Sequence, residues 1–149
     1  MRKDFPVDVG LVLILIVVTT ITMMILMRDR RLAREVALAD GILSDVRELD
    51  AAKEKYALEN KIIGQKTWDE ISPHVGTRGM VHPRIVQPRF SDMTPYLKKD
   101  SLILESDGMD RIGNPFIISD VDVPVRVNPE TKKVLVEVTG GDTFWGPYS

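Results

Sequence analysis

The apolar residues are concentrated near one end of the chain. Leu11 to Met27 reads LVLILIVVTTITMMILM, seventeen residues without a charge, and Val9 and Gly10 extend the run to nineteen. A bilayer's hydrocarbon core is about 30 Å thick and a helix rises about 1.5 Å per residue, so the run nearly matches it. Its only polar side chains, Thr19, Thr20 and Thr22, can bond back to carbonyls one turn earlier. A short soluble chain rarely encloses a helix apolar on every face. A secretory signal has an apolar region of about 7–15 residues ending at small residues, whereas Ala37-Leu38-Ala39 lies beyond six charged residues. The pattern predicts a transmembrane helix over 11–27, uncleaved or only N-terminally trimmed, behind a short leader-like segment 1–10.

Beyond the anchor the pattern changes from uniform to striped. Arg28 to Asn60 has no proline and one glycine, Gly41. Leu32, Val36, Ala39, Leu43 (or Ile42), Val46, Leu49, Ala52 and Tyr56 recur every three or four residues, the spacing of one helix face. Glu35, Asp40, Asp45, Arg47, Glu48, Lys53, Glu54 and Lys55 fill the other faces. The spacing predicts an amphipathic helix over 28–60 that continues the anchor. Its stripe spans under four heptads and contains two alanines and a tyrosine, which suits packing on a small domain of the same chain better than a coiled-coil seam. Gly41 costs the helix about 1 kcal/mol relative to alanine, so it marks a bend or a close approach.

Residues 61–149 read as the globular head. Gly64 follows the helix end as C-terminal capping chemistry. Thr67 opens TWDEISPHV as the N-cap of a short helix, with Glu70 three residues on and Pro73 as a stop. Ser91 opens a second such piece, and WDEISPHV aligns with FSDMTPYL twenty-two residues later. The stretch between contains Pro83 and Pro88, which limit it to loop or edge strand. Pro115 to Ser119, Val123 to Val127 and Val134 to Val138 predict antiparallel strands, the last two alternating at period two around the turn NPETKK. Gly140-Gly141-Asp142 ends the ladder, and the aromatic tail FWGPYS pins onto the sheet. The expected fold is α+β: a long N-terminal helix packed on a small antiparallel sheet.

Composition narrows the chemistry. The chain has 149 residues, one domain's worth beside an anchor, with 20 Lys+Arg against 22 Asp+Glu. That balance argues against nucleic acid as a partner, since such binders gather positive charge. Without cysteine there is no disulfide, thiolate metal site or thiol nucleophile. His74 and His82 sit beside prolines without a serine elbow or second base, so packing or surface roles outweigh catalysis. Trp68, Trp145 and Tyr148 suit the core and tail docking rather than a ligand platform. Arg28, Arg30, Arg31 and Arg34 follow the anchor, against Arg2 and Lys3 before it. Counted by the positive-inside rule, this asymmetry favours a cytoplasmic head. The same juxtamembrane cluster suits anionic headgroups at about 1 kcal/mol per charge.

Several separated words occur in a recognisable order: Leu49-Asp-Ala-Ala-Lys-Glu-Lys-Tyr-Ala-Leu-Glu-Asn60, Thr67-Trp68, Ser91-Asp-Met-Thr-Pro-Tyr-Leu97 and Asp110-Arg-Ile-Gly-Asn-Pro-Phe116. Together with the anchor and striped helix they resemble the type IV pilins and type II secretion pseudopilins, over most of 45–149. The resemblance implies a non-catalytic structural subunit without a cofactor, single-pass in a bacterial inner membrane with its head periplasmic. Its partners would be the lipid bilayer and other pilin-like subunits. Leu11, Leu13, Ile14, Ile16, Thr19, Thr20 and Ile25 would make the assembly contacts, and Gly10–Leu11 would be the processing site. The chain departs from the family's cleavage pattern: Leu11 follows Gly10, Leu15 stands at the fifth position, and no carboxylate lies between Asp8 and Asp29. Tip-type pseudopilins share the apolar fifth position, and so would a protein that is neither cut nor polymerised. Major pseudopilins hold calcium in a C-terminal loop, which draws attention to Asp107, Asp110, Asp120, Asp122 and Asp142. Calcium takes six to eight oxygens, and Asp107-Gly-Met-Asp110 lacks a known loop spacing, so solvated turn carboxylates are the stronger expectation. The competing function is a membrane-tethered binding or regulatory module with a cytoplasmic head.

Overall fold

The computed structural model describes residues 9–74 and 87–149. The start of the leader-like segment and the stretch holding Val75, His82 and Pro83 lie outside the described residues. The first helix, α1, runs from Val9 to Glu59. It contains no proline, and Gly41 does not interrupt it. Its C-terminus closes with Lys61 in the left-handed region (φ 52°), the Ile62 N–H donating to the Ala57 carbonyl at 2.9 Å. This is a Schellman-type ending formed at a lysine. Gly64, expected as the cap, instead has extended backbone and precedes the second helix.

The chain divides into two compact units, Met1–Ala37 and Leu38–Ser149. In the first unit, the apolar side chains from Leu11 to Met27 are exposed, and α1 is long and apolar enough to cross a membrane. In the second unit, Ala39, Ile42, Val46, Leu49 and Ala52 of α1 form one buried face. Met93, Leu97, Ile103, Phe116, Val125, Val127, Leu135 and Trp145 complete the core. Each fully buried large apolar side chain contributes about 1.5–3 kcal/mol relative to exposure. The rear of the predicted stripe is therefore covered by residues of its own unit, while Val36, in the first unit, remains 43% exposed.

Short helices carry the rest of the second unit: α2 (Gln65–Ile71), α3 (Phe90–Met93), α4 (Leu102–Glu105), α5 (Pro129–Val134), α6 (Val136–Thr139) and α7 (Asp142–Trp145). The sequence echo has a structural counterpart, because α2 and α3 each run into a 3₁₀ turn, Ser72–His74 and Thr94–Tyr96. Neither helix begins where expected. Thr67 lies inside α2 rather than capping it. Phe90, not a residue after Ser91, opens α3, where the Asp92 carboxylate accepts from the Arg89 N–H at 2.8 Å.

The expected antiparallel sheet is absent among the described residues, which contain no strand, so the α+β class is corrected to a helical one. Pro115–Ser119 and Val123–Val127 meet at one rung, where Ile117 and Arg126 exchange both backbone hydrogen bonds at 2.9 Å. No ladder grows from it because the neighbouring donors are used elsewhere. Pro124 has no N–H. The Val125 N–H donates to the Asp50 carboxylate at 2.9 Å, and the Val127 N–H to the Tyr148 carbonyl at 2.8 Å. Val134–Val138, expected as the third strand, is helical. Asn128 caps α5 by accepting from the Glu130 N–H at 3.0 Å, and Pro129 takes a first-turn position. Lys132 and Lys133 sit in the last turn, and Gly140 closes α6 with φ 68°. The supposed hairpin turn is a helix start.

Candidate functional site

Two sets of residues are candidates for function: the exposed apolar length of α1, and the polar ties that hold the second unit together on its own part of α1. On the first, Leu11, Leu13, Ile14, Ile16 and Ile25 are each more than half exposed. The threonine hydroxyls donate to carbonyls one turn back: Thr19 to Leu15 at 2.6 Å, Thr20 to Ile16 at 2.7 Å and Thr22 to Val18 at 2.8 Å. No hydroxyl there needs a partner from outside, the condition for placing threonine in hydrocarbon. Gly10 and Leu11, the proposed processing positions, lie in the first turn of α1. Arg28, Arg30, Arg31 and Arg34 are exposed within about two turns beyond Met27, and the Arg31 Nε donates to Glu35 at 2.7 Å.

In the second unit, charged groups assigned to the solvated faces of the helix turn out to be buried. Lys53 is 1% exposed. Its Nζ lies 3.2 Å from an Asp50 carboxylate oxygen and donates to the carbonyls of Asp120 (3.3 Å) and Val123. Asp45 is buried too and accepts both arms of Arg111, from Nε at 2.7 Å and from Nη2 at 3.0 Å. That hydrogen bonding holds the Arg111 guanidinium more firmly protonated than usual. Gly41 explains the fit: a Cβ there would collide with the Arg111 guanidinium, so the glycine marks a close approach.

These ties connect the words that are far apart in sequence. Tyr96 packs edge-on against Tyr56 with ring centroids 6.1 Å apart, and its hydroxyl donates to Glu59 at 2.8 Å. That bond raises the Tyr96 pKa above its ordinary value. The Lys98 N–H donates to Glu48 at 3.2 Å. Asp50, Tyr56, Tyr96 and Arg111, from three of the separated words, thus meet on or beside one length of α1. The burial of Asp45 and Lys53 was not legible because a charge on an amphipathic helix is ordinarily solvated, and the role of Arg111 was not because its partner Asp45 lies 66 residues away. The available signal was Asp50 and Lys53, three residues apart and interleaved with the stripe positions Leu49 and Ala52.

The five aspartates are distributed rather than gathered. Asp107 is exposed with φ 53°. Asp110 is buried, and one of its oxygens accepts the N–H groups of Ile112, Gly113 and Asn114, each at 2.9 Å. The other accepts from the Thr131 hydroxyl, tying the GNPF turn to α5. Asp120 and Asp122 serve α2: they accept from the N–H groups of Gln65 at 2.7 Å and Thr67 at 3.3 Å. The Asp122 carboxylate lies where a Cβ on Gly64 would project. This is why Thr67 does not cap: carboxylates from a distant turn supply the acceptors. Asp142 accepts from Lys132 at 2.8 Å, which lowers its pKa. Among the described residues no group of three or more histidines and carboxylates is arranged to hold a metal ion. His74 is exposed at the end of a 3₁₀ turn, and Trp145 is in the core with Phe144 edge-on at 5.0 Å.

No known protein family, curated protein or solved structure matches the chain significantly.

Proposed function

We propose that the chain is a non-catalytic, pseudopilin- or minor-pilin-like structural subunit of a type II secretion or type IV pilus-like assembly. It would be anchored in a bacterial inner membrane by 11–27, with Leu38–Ser149 on the periplasmic side. One observation carries this reading. The separated words of the resemblance converge on α1 through Tyr56–Tyr96, Glu59–Tyr96 and Asp45–Arg111, as expected if one helix is both anchor and spine of the head. The reading rests on that helix and not on a sheet. In the bilayer the apolar length sits among lipid tails; on assembly such lengths pack side to side and the heads project outward. No step needs a catalytic residue.

The chain's freedom from cysteine makes a clean test possible. Leu13→Cys and Ile16→Cys, introduced singly and expressed with the assembly machinery, should give disulfide-linked dimers on oxidation. Monomers alone in the presence of assembled machinery would overturn the reading. Protease added to inverted inner-membrane vesicles should leave a C-terminal tag intact.

The arginine asymmetry favours a second reading, a tethered binding or regulatory module with a cytoplasmic head. Digestion of the tag in inverted vesicles would select it.

A further inference from the structure

The membrane end of α1 carries two adjoining surface grooves of opposite chemistry. One is lined by Thr19, Thr20, Met23, Met24 and Met27, and the other by Met27, Arg30, Arg31, Arg34 and Glu35. Met27 belongs to both. The three methionines are each more than half exposed, and their unbranched thioether chains adapt to irregular apolar partners. At 3.6 residues per turn, Met27, Arg30 and Arg34 fall within about 60° of one another around the helix, whereas Arg28 lies about 120° or more from Arg30 and Arg34. Arg31 is engaged by Glu35 at 2.7 Å. Arg30 and Arg34 stand one turn apart with no carboxylate between them, and like charges at this spacing repel. A bound anion would relieve that repulsion.

From this juxtaposition we infer that α1 holds an anionic phospholipid, its phosphodiester between Arg30 and Arg34 and an acyl chain along Met27, Met24 and Met23 toward Thr20. Guanidinium groups pair with phosphate oxygens through paired N–H donors. The site also gives Arg30 and Arg34, two of the four arginines beyond the anchor, a role other than setting its orientation. The inference rests only on the membrane-anchor part of the proposed function, not on assembly.

Native mass spectrometry of the full chain, purified in mild detergent from membranes of mixed phosphatidylglycerol and phosphatidylethanolamine, reads the bound lipid directly. The expected result is retention of phosphatidylglycerol in preference to phosphatidylethanolamine. Retention should fall on the order of tenfold in Arg30→Gln/Arg34→Gln and stay unchanged in Arg28→Gln. Equal losses in the two variants would show charge attraction without a site and overturn the inference, as would absence of a headgroup preference. Inorganic phosphate should not displace the lipid; if it does, the arginines bind a free anion and the methionine groove takes no part. Carbonate extraction reports the anchor separately, and the Leu13 and Ile16 crosslinks report assembly. Either can fail while the lipid measurement stands.

Discussion

The guanidinium of Arg111 lies across the backbone of Gly41 and closes on Asp45 with two hydrogen bonds, at 2.7 and 3.0 Å. A residue from the GNPF turn is thereby clamped to α1 at the one helical position whose missing Cβ makes room for it. The arrangement predicts an inverted pair of effects. Gly41→Ala alone should destabilise by about 1 kcal/mol, because displacing Arg111 leaves the buried Asp45 without its partner. In an Arg111→Ala background the same change should stabilise by about 1 kcal/mol, the ordinary helix preference for alanine. Thermal unfolding of the detergent-solubilised chain by near-ultraviolet circular dichroism measures both, and a common sign would refute the clamp.

Lys53 is a buried cation of the second unit, held by Asp50 and by the carbonyls of Asp120 and Val123. Lys53→Met keeps the volume and removes the charge. It should cost about 3 kcal/mol, since breaking a buried pair strands its partners. The same unfolding measurement checks it. A loss below about 0.5 kcal/mol, the range of ordinary surface changes, would mean the lysine is solvated.

Tyr96 links stability to alkaline pH. Its hydroxyl donates to Glu59, which favours the protonated phenol and raises its folded pKa. The contribution is therefore fully present below the unfolded value of about 10 and is lost as pH rises through the higher folded value. Tyr96→Phe should lower the melting temperature near neutrality and abolish this part of the alkaline decline. Parallel alkaline limbs for the two proteins would disprove the linkage.

Trp145 is 1% exposed, and its indole N–H has no hydrogen-bond partner among the described residues. Burying an unpaired donor is unfavourable. Trp145→Phe, which removes the donor, should cost no more than about 1 kcal/mol, whereas Trp145→Ala should cost about 3–5 kcal/mol. Chemical denaturation of the three proteins gives the comparison.

Asn128 distinguishes the observed helix from the expected hairpin turn. As the N-cap of α5 it accepts from Glu130, so Asn128→Ala should cost about 1 kcal/mol and Asn128→Asp nearly nothing. At an ordinary turn position neither change would have so ordered an effect.

The long helix was legible because its signals agree: no proline, an unbroken apolar run, then a stripe of period 3.6. Ala39, Val46, Leu49 and Ala52 are buried along that stripe. Gly41 was legible as an anomaly, and the structure shows a close approach there. The sheet was misread because five residues such as Val134–Val138 satisfy a period of two and also occupy little more than one helical turn. The flanking signs of a helix, Asn128-Pro129-Glu130 before and Gly140 after, were the better guide. The missing ladder between Pro115–Ser119 and Val123–Val127 was not legible, because the Asp50 carboxylate and Tyr148 carbonyl that take its donors are far away in sequence. Lys53 and Asp45 escaped for a related reason: burial of a charge depends on partners that helical periodicity does not reveal.

Thr19, Thr20 and Thr22 each direct a hydroxyl to a carbonyl of their own helix. What they turn toward a neighbour is a methyl group. Contacts that this length makes with a lipid tail or another helix would thus need no directional bond from these hydroxyls, and small slips would break none. A greased surface of this kind favours exchange of neighbours over permanent locking.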